Sequence, residues 1–175
     1  YDTTIVVGAA RFSEYVPQLK NKNVALICNQ TSMVRNVFLA DTLLKQNVHL
    51  IKLFAPEHGL RGTEDAGAAV INSIDVKTGL PVVSLYGNHN KPSVDDLKDI
   101  DIVLFDIQDV GVRFYTYMAT LHHVMLAAAL NNKEVIVLDR PNPNGFYLDG
   151  PMPEADVRSL VCMHPVPVVH GMTVG

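Results

Sequence analysis

Residues 101–109 read Asp-Ile-Val-Leu-Phe-Asp-Ile-Gln-Asp and decide the fold of this chain. A short apolar, β-branched run is typical of a strand buried on both faces, and here it stops at polar residues that no core absorbs. The same change from apolar to polar occurs at four other places. They are Val24 to Cys28 before Asn29, His49 to Phe54 before Pro56, Pro81 to Leu85 before Tyr86, and Glu134 to Leu138 before Asp139. Five strands, each ending in a polar loop, are therefore expected.

Segments with helical periodicity separate these strands. They cover Phe12 to Lys20, Val37 to Gln46, Ser93 to Asp99 and Tyr115 to Asn131. Alternating strands and helices predict right-handed crossovers and a parallel sheet. We expect one doubly wound, Rossmann-like α/β domain over residues 1–175, with a mostly parallel sheet and helices on both faces. In such a sheet, ligands bind beyond the carboxyl ends of the strands, so the five loops should converge on one cleft.

Composition narrows the ligand class. The chain of 175 residues is 48% hydrophobic and 18% charged, with a net charge of -4 and two cysteines, Cys28 and Cys162. This is ordinary globular composition without a disulfide framework. No Lys/Arg-rich block predicts nucleic-acid binding, and no apolar run reaches the roughly 20 residues of a membrane span. No nucleotide-binding glycine motif or metal-binding His or Cys motif occurs, so we expect no cofactor and no metal, and a small or saccharide-like ligand.

Pro56-Glu57-His58-Gly59 is the sharpest local motif. A carboxylate just past a strand, stiffened by proline and followed by glycine, is held rigidly while it reaches solvent. Glu57 is therefore the first candidate for a general acid or base. His58 is a candidate to orient Glu57 or to donate to substrate. The structural alternative is that Glu57 pairs with Arg61 at the surface.

Residues 106–117 concentrate polar and aromatic groups between a buried strand and a helix. Asp106 and Gln108 are expected on one side of the extended chain, with Asp109 at the start of the turn. Such groups bind sugar hydroxyls, Arg113 can hold a carboxylate in a bidentate pair, and the Tyr115 ring can stack on a sugar.

The alternative interpretation of this segment is structural. Arg113 then neutralises Asp106, and Asp109 or Thr116 caps the helix that follows.

The last strand exits into Asp139-Arg-Pro-Asn-Pro143. Its two prolines stiffen the loop and fix the directions of Asp139 and Asn142. The alternative is a proline-defined turn with a surface pair between Asp139 and Arg140. The Gly- and Pro-rich stretches 60–80 and 140–165 are expected to form the cleft walls.

Seven motifs carry a close resemblance to the bacterial exo-β-N-acetylmuramidase (NamZ-like) family, formerly a domain of unknown function. They begin at Leu53 (LFAPEHGLRG), Thr78 (TGLP), Ser84 (SLYG), Phe105 (FDIQDVGVRFYTY), Leu138 (LDRPNP), Gly150 (GP) and His170 (HGMT). The resemblance runs from about Val24 to the end of the chain. It implies a Rossmann-like domain that is followed in the family by a smaller second domain, so this chain is expected to be truncated at its C-terminal end.

The resemblance also implies a function. Family enzymes are secreted or periplasmic and remove terminal N-acetylmuramic acid from the non-reducing ends of peptidoglycan fragments during cell-wall recycling. The expected partner is thus a peptidoglycan-derived saccharide, and Glu57, which matches a glutamate of the family's motif, is the expected general acid. The expected substrate-binding residues are His58, Arg61, Gln108, Arg113, Tyr115, Arg140, Asn142 and His170.

The resemblance leaves the second catalytic group open. Retaining glycosidases place two carboxyl groups about 5 Å apart and inverting ones about 6.5 to 9.5 Å apart. The candidates are Asp106, Asp109 and Asp139. The 2-acetamido group of the substrate can itself be the nucleophile, with the second carboxylate orienting it. For the lactyl carboxylate, the available cations are Arg113, Arg61 and Arg140, of which Arg113 is preferred.

Two other functional classes remain. One is a non-catalytic module that binds cell-wall sugars without turnover. The other is a metal-dependent amidase or deacetylase with an ion among His58, Asp106 and His170.

Overall fold

The computed structural model describes residues 5–57, 59–60, 73–154 and 156–175. The strands are β1 (Val24–Cys28), β2 (Met33–Val34), β3 (Val37–Phe38), β4 (Leu50–Ala55), β5 (Ser73–Ile74), β6 (Pro81–Ser84), β7 (Ile102–Asp106) and β8 (Glu134–Val137). The α-helices are α1 (Phe12–Tyr15), α2 (Leu39–Lys45), α3 (Val94–Leu97) and α4 (Tyr117–Leu130). Short 3₁₀ turns cover Gly8–Ala10, Val16–Leu19 and Leu160–Cys162.

Among the described residues, the main sheet has six strands in the order β5-β6-β4-β1-β7-β8. The pairs β6·β4, β4·β1, β1·β7 and β7·β8 are all parallel, and β5 alone runs antiparallel, against β6. Numbered along the chain, the five parallel strands follow the order 3-2-1-4-5, which is that of doubly wound nucleotide-binding folds. The predicted α/β class and the five predicted strands are confirmed.

Hydrophobic side chains fill both faces of this sheet. Along β1, Val24 and Leu26 pack on the face covered by α1 and α2, whereas Ile27 packs on the face covered by α3 and α4. Phe54 and Phe105 are fully buried on that second face. Burying an aromatic side chain stabilises a fold by roughly 1.5–3 kcal/mol, so these two rings hold the central strands to α4. The expected helices on both faces are confirmed.

Local sequence explains where the helices begin and end. The first predicted helix is a single α turn followed by a 3₁₀ turn, because Pro17 cannot continue the α-helical hydrogen bonds. Ser93 and Asp96 form a reciprocal capping box at the start of α3. Within the described residues, no helix has the length and apolar character needed to cross a membrane.

The carboxyl ends of the five parallel strands meet at one edge of the sheet. Strand order reverses between β1 and β7, and hydrogen bonds join the loops that follow these two strands. The Thr31 hydroxyl accepts from the backbone N–H of Gln108 at 3.0 Å, and the Ser32 hydroxyl donates to the backbone carbonyl of Asp106. This edge is where ligands bind in open α/β sheets.

Candidate active site

Glu57 stands half-buried at this edge, directly after β4. The Thr116 hydroxyl donates to its Oε2 at 3.2 Å, and the Tyr86 hydroxyl lies close to the carboxylate. Because β6 neighbours β4, the loop after β6 brings Tyr86 beside Glu57. The turn closes where the Gly59 N–H donates to the Pro56 carbonyl at 3.0 Å, with a φ of 72° at Gly59. The Thr116 hydrogen bond and a tight turn thus fix the carboxylate.

A cavity of about 210 Å³ opens beside this carboxylate. Its lining residues are Glu57, Leu85, Tyr86, Gly87, Asn90, Thr116, Thr120 and Leu160. Polar groups and two leucine side chains share the walls, which is the composition of a site for a small polar molecule with apolar substituents.

Tyr117 and Asn29 carry buried polar atoms near Glu57. Tyr117 is 2% exposed and Asn29 fully buried. Within the described residues, neither Oη of Tyr117 nor Nδ2 of Asn29 has a partner with hydrogen-bond geometry, although Asn29 and Tyr115 both lie close to that hydroxyl. Burial raises the pKa of Tyr117 to about 12, and Tyr115 and the charge of Glu57 act in the same direction. Unpartnered buried polar atoms are rare and mark a place for a ligand or ordered water.

The pKa of Tyr86 is raised as well. Desolvation is the first cause, and the neighbouring Glu57 carboxylate is the second. Tyr86 therefore stays neutral beside Glu57 at physiological pH.

Asp106 lies in a buried ion pair with Arg140. The Arg140 Nε donates to Oδ1 at 2.7 Å and Nη2 donates to Oδ2 at 3.0 Å, while Nη2 also donates to the Met33 carbonyl at 3.0 Å. Asp106 is fully buried, and burial raises its pKa although Arg140 opposes the shift. Both carboxylate oxygens are thus committed to Arg140. The alternative in which Arg113 neutralises Asp106 is wrong, as is the surface pair of Arg140 with Asp139.

Arg113 instead donates hydrogen bonds to carbonyl groups of the segment between residues 150 and 169. Its Nη1 donates to the carbonyls of Pro151 at 2.9 Å and Val166 at 2.6 Å, and its backbone N–H donates to Val168 at 2.7 Å. Tyr115 packs edge-on against Tyr117, with ring centroids 4.9 Å apart. Arg113 thus binds a later segment of the chain, and Tyr115 packs against Tyr117, whose hydroxyl is affected by the charge of Glu57.

Gln108 and Asn142 join separate loops. The Gln108 Nε2 donates to the carbonyls of Asp109 at 2.7 Å and Pro141 at 2.8 Å. The Asn142 Nδ2 donates to the Met172 carbonyl at 2.9 Å. Each side-chain amide thus links the loop after β8 to another part of the edge.

Asp109 and His170 form a second buried polar pair. The His170 Nε2 lies 3.7 Å from Oδ2 of Asp109, and that oxygen accepts from the Gly111 N–H at 2.8 Å. The His170 Nδ1 accepts from the Met172 N–H at 3.3 Å, which assigns the imidazole proton to Nε2. Burial raises the pKa of Asp109, whereas the Gly111 bond and His170 lower it. This carboxylate remains a candidate for the second catalytic group.

Asp139 belongs to a third network, after β8. Its Oδ1 accepts from the N–H groups of Arg140 at 3.0 Å and Gly175 at 3.2 Å. Two strands, β1 and β7, separate β8 from β4, so the strand axes that carry Asp139 and Glu57 lie about 14 Å apart. The structure therefore brings Glu57 together with Tyr86 and Thr116, and distributes the three aspartates among other networks.

His58 and Arg61 lie outside the described residues, and so does the alternative pairing of Glu57 with Arg61. Among the described residues, no group of three or more His, Cys, Asp or Glu side chains is arranged to hold a metal ion.

Thr116, Tyr86, Asn29 and Tyr117 are site residues that the sequence did not single out. Thr116 precedes α4, but its hydroxyl makes no capping hydrogen bond, so the alternative in which it caps the helix is wrong. The hydroxyl contacts Glu57 instead. Tyr86 and Asn29 end or follow predicted strands, which was the signal that could have identified them.

Together, the fold and the site define a Rossmann-like domain. Its cavity, centred on the Glu57 carboxylate, lies at the edge of the sheet formed by the carboxyl ends of the parallel strands. The sequence model described as "Exo-beta-N-acetylmuramidase NamZ, N-terminal" matches residues 24–175. The chain belongs to this family, through the family's N-terminal part, and the resemblance seen in the sequence is confirmed.

Individual relatives agree with this assignment. The chain is 46% identical over 165 residues to a protein of Bacillus subtilis (strain 168) named peptidoglycan beta-N-acetylmuramidase NamZ, covering 93% of this chain and 40% of the relative. Two crystal structures of DUF1343 family proteins from Bacteroides fragilis NCTC 9343 superpose with TM-scores of 0.85. They are 45% and 42% identical, covering 97% and 96% of this chain and 44% and 43% of theirs. The chain thus spans less than half the length of these relatives.

Proposed function

We propose that this chain is part of an exo-acting glycoside hydrolase that releases terminal N-acetylmuramic acid from the non-reducing end of peptidoglycan fragments. Family membership and the 46% identity to a protein named peptidoglycan beta-N-acetylmuramidase support the substrate class. The observation that carries the proposal is the Glu57 carboxylate, held by Thr116 and lying beside Tyr86 at the wall of a cavity of about 210 Å³.

Glu57 is the proposed general acid. It donates its proton to the glycosidic oxygen as the bond from that oxygen to the anomeric carbon breaks. The Thr116 hydroxyl donates to Glu57, so it stabilises the carboxylate that remains after proton transfer. Water later supplies the hydroxyl group at the anomeric carbon and returns a proton to Glu57.

The environment of the aspartates bears on the second group. Asp106 has both oxygens bonded to Arg140, which favours a positioning role for it. Asp139 stands beyond two intervening strands. Asp109, or the substrate's own acetamido oxygen with Asp109 orienting it, remains the better candidate to stabilise the anomeric carbon.

Arg113 remains the preferred cation for the lactyl carboxylate. Arg140 is committed to Asp106, and Arg61 is outside the described residues. Because peptidoglycan lies outside the cytoplasm, we also propose that the protein acts as a secreted or periplasmic enzyme.

The test is turnover by the full-length protein of a chromogenic N-acetylmuramide, with the corresponding N-acetylglucosaminide as control. Release from the muramide alone is expected, because only that sugar carries the lactyl carboxylate. Binding of the muramide without turnover would instead support a non-catalytic module, and turnover abolished by a chelator would support a metal-dependent enzyme.

A further inference from the structure

Two adjacent histidines on α4 contact two chain segments that contribute to the lining of the Glu57 cavity. The His122 Nδ1 lies 3.3 Å from the His164 Nε2, with ring centroids 5.3 Å apart. The His123 Nδ1 lies 3.2 Å from the Asn90 carbonyl oxygen. Neighbouring residues on a helix point about 100° apart, so the two imidazoles reach different segments.

Both segments line the cavity. Asn90 contributes to one wall directly. The other wall includes Leu160, which lies in the 3₁₀ turn Leu160–Cys162, shortly before His164 in the same segment. The contact between His122 and His164 therefore holds the segment that carries Leu160, the Leu160 wall, against α4.

We propose that His122 and His123 are positioning residues for the Glu57 cavity, and that protonation of His164 releases the wall that carries Leu160. This role of the histidines rests on the proposed function, which supplies the reaction that takes place in the cavity. The cavity wall itself is a property of the fold and can be measured without turnover.

The hydrogen-bonding groups of the His164 imidazole explain why protonation releases the wall. Its Nδ1 is buried and has no hydrogen-bond partner among the described residues, while its Nε2 contacts His122. A neutral imidazole fits this arrangement with an N–H on Nε2 that donates to His122 and with Nδ1 unprotonated. The protonated ring has N–H groups on both nitrogens, so a cationic donor at Nδ1 is buried without an acceptor.

The groups that face His164 do not offset this cost. They are His122 and His123 from α4 and His170 from the end of its own segment. The Arg113 guanidinium binds the nearby Val166 carbonyl. Among the described residues, none of the three clustered histidines, at positions 122, 123 and 164, forms an ion pair with a carboxylate. Burial first, and then the neighbouring histidines, lower the pKa of His164.

The sign of the pH effect follows. With the wall released, His164 is solvated and its pKa is near the ordinary value of about 6.5, whereas the pKa is lower with the wall closed. The released form therefore binds a proton first as the pH falls. The closed wall is favoured above about pH 6.5. Below this pH the equilibrium constant for opening the wall rises by up to about tenfold per pH unit, as expected for the binding of one proton.

Hydrogen exchange of the full-length protein, followed by mass spectrometry from pH 7.5 to 5.5, tests the proposal. After correction for the intrinsic exchange rate, peptides covering residues 157–164 should lose protection on acidification by up to about tenfold per pH unit. Peptides from β1 serve as an internal reference that keeps its protection.

Three variants make the test specific. His164→Gln keeps a hydrogen-bonding group but cannot titrate, so its protection should not change with pH. His122→Gln leaves His164 in place but removes one ionisable neighbour, so the loss of protection should be smaller. His49→Gln is the matched control, because His49 is exposed and contacts Asn23 outside this histidine cluster, and it should behave as wild type.

A wild-type protection that does not vary with pH would overturn the proposal, as would an unchanged pH response in both His164→Gln and His122→Gln. If His164→Gln is unprotected at every pH, the comparison of wild type with His122→Gln decides. Failure of the proposed hydrolase function gives a different result, because turnover is then absent while these exchange results are unaffected.

Discussion

The hydroxyl of Thr116 donates a hydrogen bond of 3.2 Å to Oε2 of Glu57. This bond joins the loop after β4 to the first turn of α4, which are 59 positions apart in the chain. Thr116 thus contributes its hydroxyl to the carboxylate and not to the backbone of α4, where the preceding residue usually caps the helix. The orientation of Glu57 therefore depends on α4 as well as on its own strand.

Thr116→Val should lower kcat/KM for N-acetylmuramide hydrolysis by about tenfold, with little change in KM. The reason is that a hydrogen bond to a charged group contributes about 1.5–3 kcal/mol, and this one stabilises the carboxylate that forms as the proton leaves. The measurement is steady-state kinetics of the full-length variant. Thr42→Val is the control, because the hydroxyl of Thr42 on α2 donates to the carbonyl of Phe38, which precedes that helix. Equal effects in the two variants would contradict the assignment.

Much of the fold could be predicted because it follows from local sequence. The run Ile102 to Phe105 is apolar without alternation, as a strand buried on both faces requires, and it appears as predicted in β7. Parallel strands then place every polar loop at one edge, whatever their order. Two-residue strands such as β2 and β5 carry no periodicity, so the sequence could not reveal them.

The partners within the site depend on strand order, which sequence does not specify. Arg113 and Arg140 both follow strands at this edge, and the sequence favoured Arg113 as the alternative partner of Asp106. Because β8 lies directly beside β7, Arg140 reaches Asp106, and Arg113 binds carbonyls of a later segment. For the same reason the contact between His122 and His164, 42 positions apart, has no signal in the sequence.

Asp106→Asn should destabilise the fold by about 3–5 kcal/mol, because it leaves the Arg140 guanidinium buried without its counter-charge. Urea unfolding of the full-length protein measures this, with exposed Asp99→Asn as the control. Adding Arg140→Met to Asp106→Asn should recover part of the loss, since the uncompensated charge is then removed. A loss below about 1 kcal/mol for Asp106→Asn would show that the ion pair does not form as described.

Gly111→Ala and Gly79→Ala separate backbone strain from steric conflict. The two glycines have φ values of 75° and 72°, but a Cβ on Gly111 would meet Oδ1 of Asn142 at 2.1 Å, whereas one on Gly79 has nothing within 4 Å. We expect Gly79→Ala to cost about 1 kcal/mol and Gly111→Ala about 2 kcal/mol more.

Thermal unfolding of both variants checks this difference. In the background of Gly111→Ala, Asn142→Ala should recover stability because it removes the obstructing side chain. Equal losses for the two glycine variants would mean that Asn142 does not pack against the loop after β7.

Glu57→Gln tests the central claim most directly, because it removes the transferable proton and keeps the shape of the side chain. The measurement is release of N-acetylmuramic acid from the chromogenic muramide by the full-length variant, beside exposed Glu14→Gln as control. We predict that kcat/KM falls by at least about 10³-fold in Glu57→Gln, with an unchanged unfolding midpoint and wild-type turnover in the control. Wild-type turnover in a folded Glu57→Gln protein would contradict the account.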